Sequence, residues 1–296
     1  MSSWPRRLRR CSALAIGLGA GAIALNATLA AGCGGDGGAP AAKKIRQAHA
    51  PRVAQIVSED LARHERGLAL AADRVAAGFV KAKPERIEVE MRQALKLIRN
   101  PKRGIKELVI SPMSFMASVG ADGVVIARNA EPDRMKGMNL AKMFAPVRDA
   151  LAGKQSYAIG EFENPTKGGK PSVTVVMAAP AHYGDDVVGA LVIGVPLWRW
   201  SQRLSKQLQM EAAGKDKGAV LWVYLYRGDE LHHHGTPPDL DELVPTPDAR
   251  RAGYQKSPGG FTGTVQQYGF WYGYGVRPLP ALGEDVGIIL FRMDPK

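Results

Sequence analysis

Cysteine is nearly absent: the 296 residues hold two, Cys11 and Cys33. Cys11 falls in a stretch that reads as a removable leader, so one thiol would remain in the mature chain. Disulfides, thiolate metal sites and cysteine nucleophiles are thereby excluded, because the remaining thiol would be acylated, and stability has to come from the core. Aromatic residues are also few, 7% of the chain, and they lack the interleaving with basic residues that marks a nucleic-acid reader. No nucleic acid is expected as a partner. Acidic residues are in the minority, 28 against 40 Lys and Arg, for a formal net charge of +12. That balance favours anionic headgroups, cell-surface polymers or carboxylate ligands. One long apolar run exists, over 13–29, but glycines, Asn26 and Thr28 dilute it. It is marginal for a bilayer span, which needs about 20 apolar residues.

What precedes and follows that run gives it a meaning. Arg6, Arg7, Arg9 and Arg10 come before it with no acidic residue between them, the charged and apolar regions of a secretory signal. Leu29-Ala30-Ala31-Gly32-Cys33 resembles the bacterial lipobox, whose Cys accepts a diacylglyceryl group before cleavage, although Ala30 stands where Leu is most frequent. The expectation is a signal peptide over 1–32, lipidation at Cys33, and a chain held at the bacterial cell envelope. It would sit on the inner or outer membrane, facing the periplasm or the cell surface. An uncleaved spanning helix and a plain signal cleaved near Ala31 are the competing readings. Arg9-Arg10 lacks the downstream pattern of twin-arginine export.

Gly34 to Pro40 is too poor in apolar residues to fold alone, so 33–43 reads as a lipidated flexible tether. Over 44–100 the apolar residues Ile56, Leu61, Leu68 and Val75 recur near helical spacing, which predicts a helical spine broken at Lys83-Pro84 and ended by Pro101. The region 101–197 reads as short strands around one helical stretch near 139–151, with Ala121-Asp122-Gly123 as a hairpin turn. An amphipathic connecting helix follows over 198–217, with Trp198, Leu204 and Leu208 available for one face and Gly214 as its stop. The strand pattern resumes over 218–296, with Arg227-Gly228-Asp229 as a second hairpin turn and a polar, Pro-rich stretch before the last three strands.

The two strand-rich parts repeat one order of elements. Pro180 to Gly189 and Pro278 to Gly287 have the same separation, and each encloses an acidic pair before a final apolar strand. Duplication explains this, as does convergence on one hairpin geometry.

The segments 120–128 (Gly-Ala-Asp-Gly-Val-Val-Ile-Ala-Arg), Gly137-Met138-Asn139-Leu140, 151–154 and 188–197 together resemble the extracytoplasmic Cache sensor domains, whose modules have a PAS-like fold. The resemblance covers 110–200 in detail and 218–296 in topology alone. It implies an α+β fold with a long N-terminal helical segment followed by two PAS-like antiparallel-sheet modules, a double-Cache-like arrangement. It also implies a small-molecule ligand, a carboxylate among the candidates, held between the first sheet and its crossing segment. On that basis Lys142, Phe144 and Arg148 fall on the crossing segment and Tyr157 and Thr174 on strands. Thr174 interrupts the apolar run 173–178, which makes it a donor in an apolar pocket. Arg128, at a strand end, could grip a carboxylate with two hydrogen bonds. Family members usually continue into a membrane helix and a signalling domain, which this sequence does not show, so a separate membrane signalling protein is the expected partner.

Other motifs point to no assembled chemistry. In a strand, only His232 and His234 of His232-His233-His234 would share a face, one ligand short of a metal site. Asp185-Asp186 and Glu284-Asp285 fall in turns, where adjacent carboxylates rarely converge on a substrate. Gly168-Gly169-Lys170 has no following helix to form an anion cradle. The reading is therefore a lipid-anchored extracytoplasmic sensor or binding protein, with no cofactor and no catalytic set. Its alternatives are an assembly lipoprotein with a collapsed pocket and a metal-dependent enzyme built on His232–His234.

Overall fold

The computed structural model describes residues 37–163 and 170–295. The leader, Cys33 and Gly168-Gly169 lie outside the described residues. Helix starts inside the span assigned to a tether: α1 is Ala39–Lys44, a π-helical turn follows at Ile45–His49, and α2 runs over Ala50–Lys81. Gly37 and Gly38 fold because they lie flat on the second module. A Cβ on Gly37 would come within 2.5 Å of Trp271 Cδ1, and one on Gly38 within 3.0 Å of Thr264. The π turn ends two residues before Pro51, whose ring offers no N–H and crowds the carbonyl four residues back. Widening the helix there removes the clash.

Along α2 the buried positions Val53, Ile56, Val57, Leu61, Leu68, Ala71, Ala72 and Val75 form one stripe at helical spacing. That stripe lies on the first sheet, against alternate residues of β4 (Ser172–Tyr183) and β5 (Asp186–Pro196) such as Val175, Met177, Leu191 and Ile193. The helix α3 (Ile87–Ile98) turns back after the break at Pro84 and buries Met91 and Leu95. The short α4 (Lys106–Val109) leads into the sheet.

The first sheet has the order β2-β1-β5-β4-β3, with β1 Phe115–Gly120, β2 Val125–Arg128 and β3 Ser156–Phe162. All its pairings are antiparallel. Period-two alternation gives it two cores. Odd residues of β4 and β5 meet α2, while Val176, Ala178, Ala190 and Val192 meet α5 (Leu140–Met143) and α6 (Ala145–Leu151) on the other face. The predicted single helix over 139–151 is thus two, broken at Phe144, with Asn139 capping the first by accepting from Lys142 N.

Helix α7 (Leu197–Ala213) carries the chain to a second sheet of order β7-β6-β10-β9-β8, the same order as the first. Its strands are β6 Val220–Arg227, β7 Glu230–His232, β8 Phe261–Gln267, β9 Phe270–Pro278 and β10 Val286–Met293. The polar stretch between β7 and β8 contains two helices that the sequence reading did not place, α8 (Pro238–Asp241) and α9 (Pro247–Lys256). Thr246 caps α9 by accepting from Ala249 N. The face of α7 also needs correcting: Leu197, Trp200, Leu204 and Leu208 are buried, and Trp198 is not among them.

Two buried ionic junctions tie these layers together. Asp60 of α2, 1% exposed, accepts from Arg203 Nε at 3.0 Å and Nη2 at 2.8 Å, from Arg63 Nη1 at 3.0 Å and from Trp200 Nε1 at 3.2 Å. Arg292 of β10 is fully buried and meets Asp216 at 3.0 Å, Asp294 Oδ1 at 2.7 Å through Nε, and His49 Nε2 at 2.7 Å. A guanidinium only donates, so His49 accepts and is neutral there.

Removing one partner from a buried pair leaves the other charge without compensation. Asp60→Ala should lower unfolding stability in urea by about 3 kcal/mol or more. Burial holds the His64 imidazole, beside Trp200, down at about 4, and burial also lowers His49. Unfolded histidine titrates near 6.5, so the unfolded chain binds protons first. Stability is complete above about pH 6.5 and falls as pH drops toward 4, by roughly 3 kcal/mol from His64. Urea melts of wild type and His64→Gln across that window should show a shallower loss in the variant.

Candidate ligand-binding cavity

A cavity of about 860 Å³ opens on the face of the first sheet away from α2. The end of β2 and the start of β4 supply Arg128 and Thr174, the end of β3 supplies Glu161 and Phe162, and the start of α7 supplies Trp198 and Arg199. Its remaining wall is the connection from β2 to α5, with Arg134, Met135 and Met138. Asp133 gives that connection its shape. It accepts from the backbone N–H of Arg128 at 2.8 Å, of Met135 at 3.0 Å and of Lys136 at 3.1 Å, the turn chemistry for which Asp is suited.

The floor is apolar. Phe115 and Phe162 meet edge to face at 5.2 Å, and Phe162 lies 4.7 Å from Phe144. Phe115 reaches this position because β5 has Gly194 beneath it, where a Cβ would come within 2.1 Å of the ring. The rim is charged, with three arginines against Glu161 and Glu163. Arg128 donates from Nη2 to Pro132 O at 3.1 Å, while its Nε is buried without a protein partner. Arg199 lies over the Trp198 ring at 5.1 Å and donates to Met113 O at 3.2 Å. Glu161 is already neutralised from the second module, where Arg227 Nη1 lies 2.9 Å from its Oε1 and Arg227 Nε 3.3 Å from Asp285. An anion is the ligand charge that this balance favours.

Of the six ligand residues expected from sequence, two line the cavity, Arg128 and Thr174. The Thr174 hydroxyl is buried and donates to Ser172 O at 3.1 Å. The other four lie elsewhere. Phe144 is core: it fills the centre of the sheet face with Leu140, Val147 and Ala150, and β3 accommodates it at Gly160, where a Cβ would lie 2.4 Å from the ring. Lys142 and Arg148 are exposed, and Arg148 donates to Ala141 O at 2.8 Å. Tyr157 is on the opposite side of the sheet, packed on the α2 core, and its hydroxyl donates to Ala281 O at 3.0 Å. Strand parity decides this, since β3 sends Tyr157 and Ile159 one way and Phe162 the other. Trp198, Arg199, Arg134, Met135 and Met138 were missed. The pair Trp198-Arg199, directly after the β5 run, was the one visible sign.

The histidines diverge. His232 ends β7 with Nε2 buried and without a protein partner, His233 pairs with Thr236 and lies 3.4 Å from Asp241, and His234 packs its edge on Trp198 at 5.3 Å. Among the described residues no three His, Cys, Asp or Glu side chains are placed to hold a metal. In the second module the corresponding sheet face is filled by Tyr224, Tyr226 and Phe291, with Tyr226 and Tyr254 hydroxyls 2.5 Å apart.

No family model and no curated protein matches the sequence. The fold is similar to solved sensor domains. The Vibrio cholerae histidine kinase DctB sensor domain aligns over 85% of this chain and 96% of its own at 16% identity, with a TM-score of 0.48. The ligand-binding domain of the Campylobacter jejuni chemoreceptor Tlp3, solved with L-valine, aligns over 82% and 89% at 10% identity and 0.48. That of the Pseudomonas aeruginosa chemoreceptor PctB, solved with L-Arg, aligns over 86% and 95% at 15% identity and 0.45.

If Phe144 is core, Phe144→Ala should cost about 3–5 kcal/mol of unfolding stability. Lys142→Ala should stay within about 0.5 kcal/mol of wild type. Denaturant midpoints check both.

Proposed function

We propose that this protein is a lipid-anchored extracytoplasmic binding protein that takes a small anionic molecule, of which a carboxylate is the simplest, into the cavity of the first module. The observation that carries this reading is Arg128, whose buried Nε has no protein partner at the edge of an apolar-floored cavity. A guanidinium in such a place offers a carboxylate charge-assisted hydrogen bonds of high geometric specificity. No bond to the ligand need be made or broken. Anchoring rests on the lipobox at Cys33; among the described residues no helix is long and apolar enough to cross a membrane. The bound state would pass to a membrane signalling protein through a difference in ligand affinity between two conformations.

An assembly role has its own supporting observation. The centre of the first sheet face is closed by Phe144 and its neighbours, and the second module's face is filled by aromatics. Against it stands the open cavity at one end of the first sheet, of about 860 Å³.

A thermal-shift screen of organic acids, amino acids, amines and nucleobases separates the two readings, because a ligand bound only by the native state raises Tm by mass action. A hit carrying an acid group is expected, with its shift lost in Arg128→Gln and kept in Lys142→Ala and Arg148→Ala. A flat response across the library supports the assembly reading.

A further inference from the structure

We propose that the tip of the β8–β9 hairpin is a membrane-facing surface, which seats its aromatic residues in the headgroup layer of the bilayer that carries the lipid anchor. This rests on acylation at Cys33, part of the function proposed above, and adds the surface by which the folded protein meets that membrane.

The first observation is compositional. From Phe261 to Val276 the sequence carries no charged residue and holds six aromatic ones. At the tip Tyr268 is 77% exposed and Phe270 43% exposed. Tyrosine and tryptophan are enriched where a protein crosses from water into lipid, because an apolar ring with a polar edge suits that layer.

The second observation is conformational. The turn is the pair Tyr268-Gly269, with φ values of 51° and 79°. A two-residue hairpin turn with both φ positive strongly favours Asn-Gly or Asp-Gly, and a bulky side chain in the left-handed region is strained. Tyr268 is the one described residue other than glycine with positive φ. Turn chemistry disfavours this residue and solvent exposure gives it little to pack on. A contact outside the chain accounts for both.

The third observation is the place where the chain enters the fold. Gly37 lies on the Trp271 indole and Gly38 on Thr264 and the Tyr272 carbonyl, so the entering backbone runs along this same hairpin. Four residues on from Cys33 is Gly37, a reach of at most about 14 Å. Three residues of strand, about 10 Å, take Trp271 to the tip. An acyl chain on Cys33 therefore holds the bilayer surface within reach of Tyr268. The opposite pole is remote. Tyr183, with Lys81 Nζ 5.7 Å from its ring centroid, stands at the C-terminal end of α2, whose 32 residues span roughly 48 Å.

The test reconstitutes the acylated full-length protein into vesicles of phosphatidylcholine with phosphatidylglycerol, with and without brominated acyl chains, and compares Tyr268→Trp with Tyr183→Trp. Bromine quenches indoles that reach the lipid. Brominated lipid should reduce the added emission of Tyr268→Trp, and that of Tyr183→Trp should be unchanged. Equal emission of Tyr268→Trp in both vesicles overturns the proposal and leaves the hairpin to a protein partner. Incorporation of radiolabelled fatty acid, lost in Cys33→Ala, reads the anchor separately. Label without quenching sinks the hairpin alone, and absence of label sinks the anchor reading whatever the hairpin does.

Discussion

Asp60 carries a negative charge into the interior where α2 meets α7, and the arrangement of the modules follows from how that charge is satisfied. Arg203 grips the carboxylate with two hydrogen bonds, Arg63 adds a third and the Trp200 indole a fourth. Arg203 and Trp200 belong to the helix that joins the two sheets, so the carboxylate fixes that helix on the spine in both position and rotation. With α7 fixed, Leu204 and Leu208 face the core, β6 begins at a set point, and Trp198 and Arg199 are delivered to the end of the first sheet. A hydrophobic contact could have supplied as much attraction. It would not have specified the register of one helix on another so narrowly, because apolar packing is tolerant of direction while a forked ion pair is not.

Most of this architecture was legible in the sequence, for reasons that can be named. The spine showed because its apolar residues repeat at helical spacing, and its break showed because proline cannot continue a helix. The strands showed through turn residues and period-two alternation, and the repeated order of elements is matched by two sheets of identical strand order. The failures share a cause: each depended on contacts with a distant part of the chain. Gly37 to Lys43 looked like a tether because alone it has little to bury, and it folds against β8 and β9. The helix α9 was hidden by its polarity, although Thr246-Pro247 at its start was a readable cap.

The cavity was harder to read than the fold. Arg128 and Thr174 could be found because each breaks a local pattern, a cation at a strand end and a hydroxyl within an apolar run. Phe144, Lys142 and Arg148 share a segment, and nothing local says which of them points at the sheet. The break of helix at Phe144 turns its ring inward and leaves the two cations in solvent. Tyr157 was one residue of parity away from the face that carries the cavity. Met135 and Met138 reach the cavity through a loop folded by Asp133, an arrangement no periodicity encodes.

Arg227 gives the cavity an owner that strand order alone would not suggest. Its guanidinium leaves the end of β6 to meet Glu161 on the cavity rim while holding Asp285 of its own module. The two sheets are thus separate as folding layers but joined electrostatically at the rim. The smallest unit that preserves the charge of the rim is the pair of modules, and any rearrangement that draws the second away from the first leaves Glu161 without its counter-ion. The bridge ties the charge of the open module's rim to the module whose own sheet face is filled.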